Sequence, residues 1–140
     1  MPAAPLLLLD QIDSTNAEAR RRAEAGETGP LWIAARRQTG GRGRRGRAWE
    51  SNTGNLFATL LMTTPRPPAE AAQVTFVAAL AVADLLDSYA PPSLVTIKWP
   101  NDVMLAGEKA SGVLVESGAH PSGGLWLAVG IGVNLAHAPS

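Results

Sequence analysis

Short runs of apolar residues separated by polar turns dominate the chain, and they predict most of its secondary structure. Strands are predicted where apolar and β-branched residues cluster between turn residues. They comprise residues 6–9, 31–38, 55–62, 94–99 and 125–135, and two more on either side of a tight turn at Ala106 and Gly107.

Two stretches have a helical period instead. The first, residues 13–26, carries Thr15 and Glu18 at the spacing of a capping box, and Gly26 can end it. The second covers roughly residues 69–89. The spacing of its larger apolar side chains predicts a core-facing stripe of Val74, Val77, Leu80, Ala81, Leu85 and Leu86.

The order of these elements is strand, helix, strands, helix and then an antiparallel run. It predicts an α+β fold, with a mixed, largely antiparallel sheet and helices packed on one of its faces. The regular alternation of a Rossmann domain is missing. A length of 140 residues fits one domain with one core, and the sequence contains no internal repeat or linker.

The composition excludes several classes of site. The chain contains no cysteine, so disulfides, thiolate metal sites and cysteine nucleophiles are ruled out. His120 and His137 stand among Gly, Pro, Ser and Ala residues and are interpreted as loop residues. No apolar run reaches the roughly 18–20 residues of a membrane span, and the apolar start lacks the basic flank of a secretory signal. The cytoplasm is the simplest location, with no membrane partner.

The formal net charge is zero, but the charge is unevenly distributed. Six of the twelve Lys and Arg residues lie between Arg36 and Arg47, and no acidic residue occurs between Glu27 and Glu50. Glycines alternate with these arginines; glycine lets a backbone approach a ligand closely, and arginine binds carboxylates and phosphates. An anionic ligand is therefore expected at this loop. The alternative is an RNA-binding arginine/glycine tract, although such tracts usually lie in disordered segments and apolar strands flank this one.

Three further groups of residues could carry chemistry, and each also has a plain structural interpretation. The motif KWPND places Lys98 and Asp102 at a strand end, where they could meet a phosphate and Mg²⁺, but Asn-Asp after proline is also a common turn. Lys109 precedes a small-residue step into a strand, and a solvated charge is the alternative. Gly130 and Gly132 lie on one face of a strand, which leaves room either for a ligand or for close packing of a helix.

Together these motifs resemble one family. The segments DSTNAEA, QTGGRGRRGRAW, KWPNDVML, KASGVLVE and VGIGVNL occur in the order found in biotin–protein ligases, over about residues 8–135. The arginine loop combined with KWPND is of the biotin type, although lipoate–protein ligases share the fold. The resemblance implies that residues 1–140 form the class II synthetase-like catalytic domain of that family. It also implies that biotin and ATP react, with Mg²⁺, to biotinyl-5'-adenylate, and that biotin is transferred to a lysine of a biotin carboxyl carrier protein or domain.

The resemblance assigns roles to individual residues. Biotin would be bound by Ser14, Thr15, Asn16, Gln38, Gly41, Arg42, Gly43, Arg44, Lys109 and Gly112. ATP and the adenylate would be bound by Arg42, Arg45, Arg47, Trp49, Lys98, Asn101, Asp102 and Asn134, with Asp102 also a ligand of Mg²⁺. Arg44 and Lys109 would be the catalytic residues, because a carboxylate that attacks the α-phosphate of ATP brings two anions together and cations must stabilise the growing charge.

Two parts known from the family have no counterpart in this sequence, namely the N-terminal helix-turn-helix of some members and a small C-terminal β-barrel. The expectation is therefore a catalytic domain that is truncated at its C-terminus and has no DNA partner. Whether the protein forms a homodimer is left open. Two alternatives to a ligase also remain: a non-catalytic module that binds biotin or the adenylate, and a nucleic-acid binder that uses residues 36–47.

Overall fold

The computed structural model describes residues 4–43, 54–89, 91, 94–98 and 102–134. The strands among these residues are β1 (Leu6–Ile12), β2 (Leu31–Gln38), β3 (Leu56–Thr64), β4 (Val95–Lys98), β5 (Asp102–Leu105), β6 (Glu108–Ala119) and β7 (Leu125–Val133). The helices are α1 (Thr15–Glu24), α2 (Pro68–Ala71) and α3 (Val74–Asp87). All of the strands predicted from the apolar runs are present.

The described strands form one mixed sheet in the order β1-β2-β3-β7-β6-β5-β4. β1 and β2 pair in parallel, and every other neighbouring pair is antiparallel. The β5–β6 hairpin turns at Ala106 and Gly107, whose φ angles of 52° and 83° are both positive, as a tight two-residue hairpin requires. The predicted α+β fold with a largely antiparallel sheet is confirmed.

The helices lie on opposite faces of this sheet, so the prediction of a single helical face is wrong. On one face, here the α1 face, helix α1 packs on β2, β3 and β7 through Ala19, Ala23, Ile33, Leu61, Trp126 and Ala128. On the other, the α3 face, helix α3 packs on residues that alternate with these, including Leu127 and Val129 of β7. A strand that is apolar on both faces needs cover on both. The unbroken apolar run of β7 is the sequence signal for this arrangement.

The buried face of α3 also differs from the predicted stripe. The residues that pack into the core are Ala78, Ala79, Val82, Ala83 and Leu86. Of the predicted stripe, Leu86 is buried and Val74 packs against the core, but Ala81 is exposed and Val77, Leu80 and Leu85 keep 65%, 57% and 45% of their surface exposed. A helix that is apolar on nearly all sides does not define a unique buried stripe. The small alanines face the sheet because they let the helix approach it closely.

The stretch Pro68–Asp87 corrects the expectation that no segment could span a membrane. It has 20 residues and a mean hydropathy of 1.6, which suffices by length and composition alone. A core helix can share both properties, and the buried side of α3 packs on the sheet. One such helix is therefore weak evidence for a membrane span.

The loop between β6 and β7 contains His120, which is buried and fully hydrogen-bonded. Its Nδ1 accepts from the backbone N–H of Ser122 at 3.0 Å, so Nε2 carries the hydrogen that is donated to the carbonyl of Glu27 at 2.9 Å. Both ring nitrogens thus serve the structure, in agreement with the interpretation of His120 as a loop residue. His137 lies outside the described residues.

Candidate active site

The N-terminus of α1 lies on the α1 face and is capped by Ser14, not by Thr15 as the capping-box spacing predicts. Ser14 has extended backbone angles, and its hydroxyl accepts from the N–H of Ala17 at 3.3 Å. The carboxylate of Glu18 turns away from the cap to Arg21 and Arg22. The shift of the cap by one residue places Thr15 in the first turn and directs its hydroxyl into the structure.

Thr15 and Gln38 meet, although they come from different elements. The backbone N–H of Thr15 donates to Gln38 Oε1 at 2.8 Å, and the Thr15 hydroxyl lies 3.1 Å from the same oxygen. Thr15 is buried, and Gln38 is the last residue of β2. The structure therefore brings together two of the groups that the sequence resemblance assigns to biotin.

Asn16, assigned to the same ligand, has a side-chain amide that is fully engaged within the protein. Its Nδ2 donates to the carbonyl of Leu114 at 3.2 Å and to Glu116 Oε1 at 2.9 Å. Its Oδ1 accepts from the hydroxyl of Thr59 at 2.6 Å. Thr59 and Glu116 are not singled out by the sequence motifs, although a threonine within the apolar run of β3 is a recognisable signal.

Two glycines of neighbouring strands lie on the same face of the sheet as Gly130, which approaches this helix terminus. Gly112 of β6 and Gly132 of β7 are direct cross-strand partners, which places them on the same face. Asp102 on β5 pairs with Gly112, and Phe57 on β3 pairs with Gly132. We call Gly112 and Gly132 the glycine floor, because no side chain rises from the sheet between β5 and β3 at this level.

Gly130 lies two residues before the floor on β7 and has a different role. A Cβ atom at this position would be 2.3 Å from Asn16 Oδ1, far inside the closest approach of real atoms. Of the two interpretations of the β7 glycines, close packing of a helix therefore applies to Gly130. For Gly132, room for a ligand stays a prediction.

Lys109 and Asp102 form an ion pair on the other side of the floor. The Lys109 Nζ lies 3.2 Å from Asp102 Oδ1, with 44% and 24% of the two side chains exposed. Lys98 is the register partner of Asp102 on β4, which adds a second cation on this face. A partly exposed pair of this kind contributes little to stability, so its carboxylate and ammonium can exchange partners when an anion or a cation enters.

Asn134 follows β7 and is bound to the start of β6. Its N–H donates to the carbonyl of Ala110 at 2.7 Å, and its Nδ2 donates to the carbonyl of Lys109 at 3.2 Å. Asn55, a buried residue that the motifs do not indicate, lies with its Nδ2 3.5 Å from Asn134 Oδ1. These bonds fix the backbone that carries Lys109.

The arginine loop follows β2 and begins beside the residues that precede α1. The N–H groups of Thr39 and Gly40 donate to the carbonyls of Ile12 and Asp13, at 3.0 and 2.6 Å. Gly41 is buried, Arg42 is exposed and Gly43 is intermediate. Arg44, Arg45, Arg47, Trp49 and Asn101 lie outside the described residues, and their assignments stay predictions.

Two ion pairs lie close to the arginine loop in the sequence or in space, one formed by Arg36 and the other by Asp13. Arg36 pairs with Asp10, so the basic cluster is partly balanced by an acid of β1. Arg21 donates two hydrogen bonds to Asp13, and these lower the pKa of that carboxyl to about 2. Among the described residues, no group of three or more His, Asp or Glu side chains lies close enough together to hold a metal ion.

Comparison with known proteins places this arrangement in a family. The family model for the biotin/lipoate A/B protein ligase family matches residues 8–135. The chain belongs to this family. The match covers the span expected for the resemblance and includes all five motifs, so the predicted resemblance is confirmed.

Relatives within the family are similar in both sequence and structure. The biotin–[acetyl-CoA-carboxylase] ligase of Paracoccus denitrificans is 49% identical over 133 residues, which are 94% of this chain and 55% of that protein. The biotin protein ligase of Leishmania major, solved in complex with biotinyl-5-AMP, matches with a TM-score of 0.81 and 29% identity, over 100% of this chain and 60% of that one. The ligase of Aquifex aeolicus in complex with biotin and ATP has a TM-score of 0.76 and 34% identity, over 97% and 55% of the two chains. This chain thus spans a little over half the length of these relatives.

Proposed function

We propose that the chain activates biotin with ATP to biotinyl-5'-adenylate and transfers biotin to a lysine of a carboxylase carrier domain. The observation that carries the proposal is the glycine floor, with Thr15 and Gln38 on one side and the Lys109–Asp102 pair on the other. An elongated ligand with a polar ring at one end and a carboxylate at the other fits such an arrangement. The similarity to ligases solved with biotin, ATP and biotinyl-5-AMP supports this choice of ligand.

In the first step, a biotin carboxylate oxygen attacks the α-phosphorus of ATP and pyrophosphate leaves. The ammonium of Lys109 is suited to reduce the repulsion between the two anions and to stabilise the charge that grows on the phosphate. The floor lets the ligand lie against the backbone of β6 and β7. In the second step the amine of the acceptor lysine attacks the acyl carbon, and AMP leaves.

Arg44 and the rest of the arginine loop complete the proposal. Their positive charge suits an acyl phosphate, and a loop that covers the adenylate would keep water from this reactive anhydride. The loop begins beside the α1 terminus, because Gly40 is bonded to Asp13. The ring end of biotin and the loop would therefore be neighbours.

Magnesium fits this site as a companion of the nucleotide. Mg²⁺ at a nucleotide is commonly held by one or two carboxylates together with phosphate oxygens and water. Asp102 can supply one carboxylate once Lys109 turns to the ligand, and the described residues offer no larger group. When bound, the ion would neutralise charge on the leaving pyrophosphate.

The proposal also includes an acceptor protein and a cellular location. The acceptor would be a biotin carboxyl carrier protein or domain, in the cytoplasm where ATP is available. The acceptor's identity follows the name of the Paracoccus relative.

Calorimetry with biotin, alone and with ATP and Mg²⁺, tests the proposal when combined with pyrophosphate release. A ligase binds biotin and releases pyrophosphate when both substrates are present. Biotin binding without pyrophosphate release would favour the non-catalytic binding module. Absence of biotin binding would contradict both.

A further inference from the structure

We infer that Thr59, Glu116 and Gly130 are positioning residues, which act through Asn16 to hold the first turn of α1 against the sheet and so set the geometry of Thr15 and Gln38. The inference rests on the proposed function, since Thr15 and Gln38 matter here as ligand contacts. It assigns Asn16 to the support of the site and not to contact with the ligand.

The side-chain amide of Asn16 is hydrogen-bonded within the protein at both its nitrogen and its oxygen. A primary amide has two hydrogens to donate, and those of Asn16 go to the carbonyl of Leu114 and to Glu116 Oε1. Its oxygen accepts a hydrogen bond from the hydroxyl of Thr59, which is itself fully buried. With all these groups engaged in a buried position, the side chain has no donor left for a ligand.

The space for Asn16 depends on Gly130. A Cβ at Gly130 would be 2.3 Å from Asn16 Oδ1 and 2.8 Å from its Cγ. The amide is confined, because Thr59 and Glu116 hold its two ends. A side chain at position 130 would therefore displace Asn16 and, with it, the turn of helix to which Asn16 belongs.

The network continues directly to the ligand contacts. The Thr59 hydroxyl oxygen lies 2.7 Å from Thr15 Oγ1. Thr15 in turn donates its backbone N–H to Gln38 Oε1, and the Thr15 hydroxyl lies close to the same oxygen. The N–H of Thr15, in the first turn, has no partner within its own helix. Its bond to Gln38 thus depends on where Asn16 and Thr59 hold the turn.

Glu116 offers the cleanest test. It is exposed overall, so a substitution there spares the core, and yet its carboxylate reaches the buried amide of Asn16. Arg20 of α1 lies close enough to Glu116 to interact with it electrostatically. Glu24, which pairs with Arg20 on the solvent side of α1, provides a matched carboxylate that does not touch Asn16.

The experiment measures biotin affinity by calorimetry for wild type, Glu116→Ala, Glu116→Gln, Asn16→Ala and the double variant of Glu116→Ala with Asn16→Ala. Glu24→Ala is the control. Glu116→Ala should weaken biotin binding about tenfold, as expected for loss of a hydrogen bond to a charged group. Glu116→Gln keeps an acceptor oxygen and should restore affinity to within about threefold. The double variant should bind no more weakly than Asn16→Ala, because Glu116 acts through Asn16.

Hydrogen exchange at the Thr15 amide gives a second readout that needs no biotin. Its protection should fall about tenfold in Glu116→Ala and stay at the wild-type level in Glu24→Ala. Unchanged Thr15 protection in a folded Glu116→Ala protein, or additive losses of affinity in the double variant, would overturn the inference. Wild type that shows Thr15 protection but binds no biotin would refute the proposed function while leaving the hydrogen-bond network established.

Gly130→Ala perturbs Asn16 from the opposite side and keeps the test decisive if Glu116→Ala does not fold. In the single variant Gly130→Ala, the Thr15 amide should lose its protection from hydrogen exchange. Adding Asn16→Ala removes the clash and should restore the thermal transition, while biotin affinity stays at the level of Asn16→Ala. Wild-type affinity and Thr15 protection in Gly130→Ala would show that the close approach of Asn16 and Gly130 does not control the site.

Discussion

Replacing Thr59 with valine removes one hydroxyl from the centre of the site with little change in shape. Thr59 is fully buried, and its hydroxyl lies 2.6 Å from Asn16 Oδ1 and 2.7 Å from Thr15 Oγ1. Because valine is nearly isosteric with threonine, the main loss is the donor to Asn16, whose buried oxygen then has no partner. An unsatisfied buried polar group costs about 1–3 kcal/mol.

We expect Thr59→Val to lower the free energy of unfolding by that amount. For a domain of this size it would lower the midpoint of thermal unfolding by roughly 3–9 °C. Urea denaturation followed by circular dichroism measures the loss, and the denaturant slope should stay unchanged.

Thr63→Val is the matched control on the same strand. The Thr63 hydroxyl donates to the carbonyl of Thr28 at 3.1 Å in a solvent-exposed position, and its loss should change stability by less than about 0.5 kcal/mol. If Thr59→Val is as stable as wild type, the hydroxyl does not satisfy Asn16, and the network described for this site is wrong.

Three further predictions concern the charged groups. Lys109→Ala should slow pyrophosphate release about 10²–10³-fold while changing biotin affinity much less, because a cation that stabilises mainly the transition state affects turnover; an unchanged rate at saturating substrates would make Lys109 a solvated charge. Arg44→Gly should leave the thermal transition intact but release the adenylate, detected as biotinylation of unrelated proteins; an unfolded variant would instead show a structural role. Asp13 has a folded-state pKa of about 2, below its ordinary value of 3.8, so its contribution to stability is present above about pH 4 and is lost as the pH falls through 2. Asp13→Asn should remove this part of the acid dependence, and the effect should stay below about 1 kcal/mol because the Asp13–Arg21 pair is half exposed; identical acid unfolding curves for the two proteins would contradict it.

The sequence predicts the strands and the hairpin turn well because these depend on neighbouring residues. The turn at Ala106 and Gly107 is an example, since local backbone preference decides it. Of the residues that the motifs single out, the structure brings Thr15 to Gln38 and Asp102 to Lys109. Their roles toward a ligand stay predictions.

Contacts between residues that are far apart in the sequence could not be predicted in this way. Asn16 is bonded to Thr59 and Glu116, 43 and 100 residues away along the chain, and no local pattern shows that a buried amide will be satisfied within the protein. The same holds for α3. Its apolar residues surround the helix, so only the packed sheet decides that alanines face inward.

The position of β7 in the sheet has a consequence for how the chain folds. β7 follows the other described strands in sequence but stands between β3 and β6 in space. Until it is synthesised, the chain can form only a β1-β2-β3 unit and a β4-β5-β6 unit, each with an open edge where β7 will pair. Such non-local closure is slow, and open edges favour aggregation. A ribosome-bound chain that ends before Leu125 should therefore need protection of these edges, and the glycine floor exists only after Gly132 has been inserted.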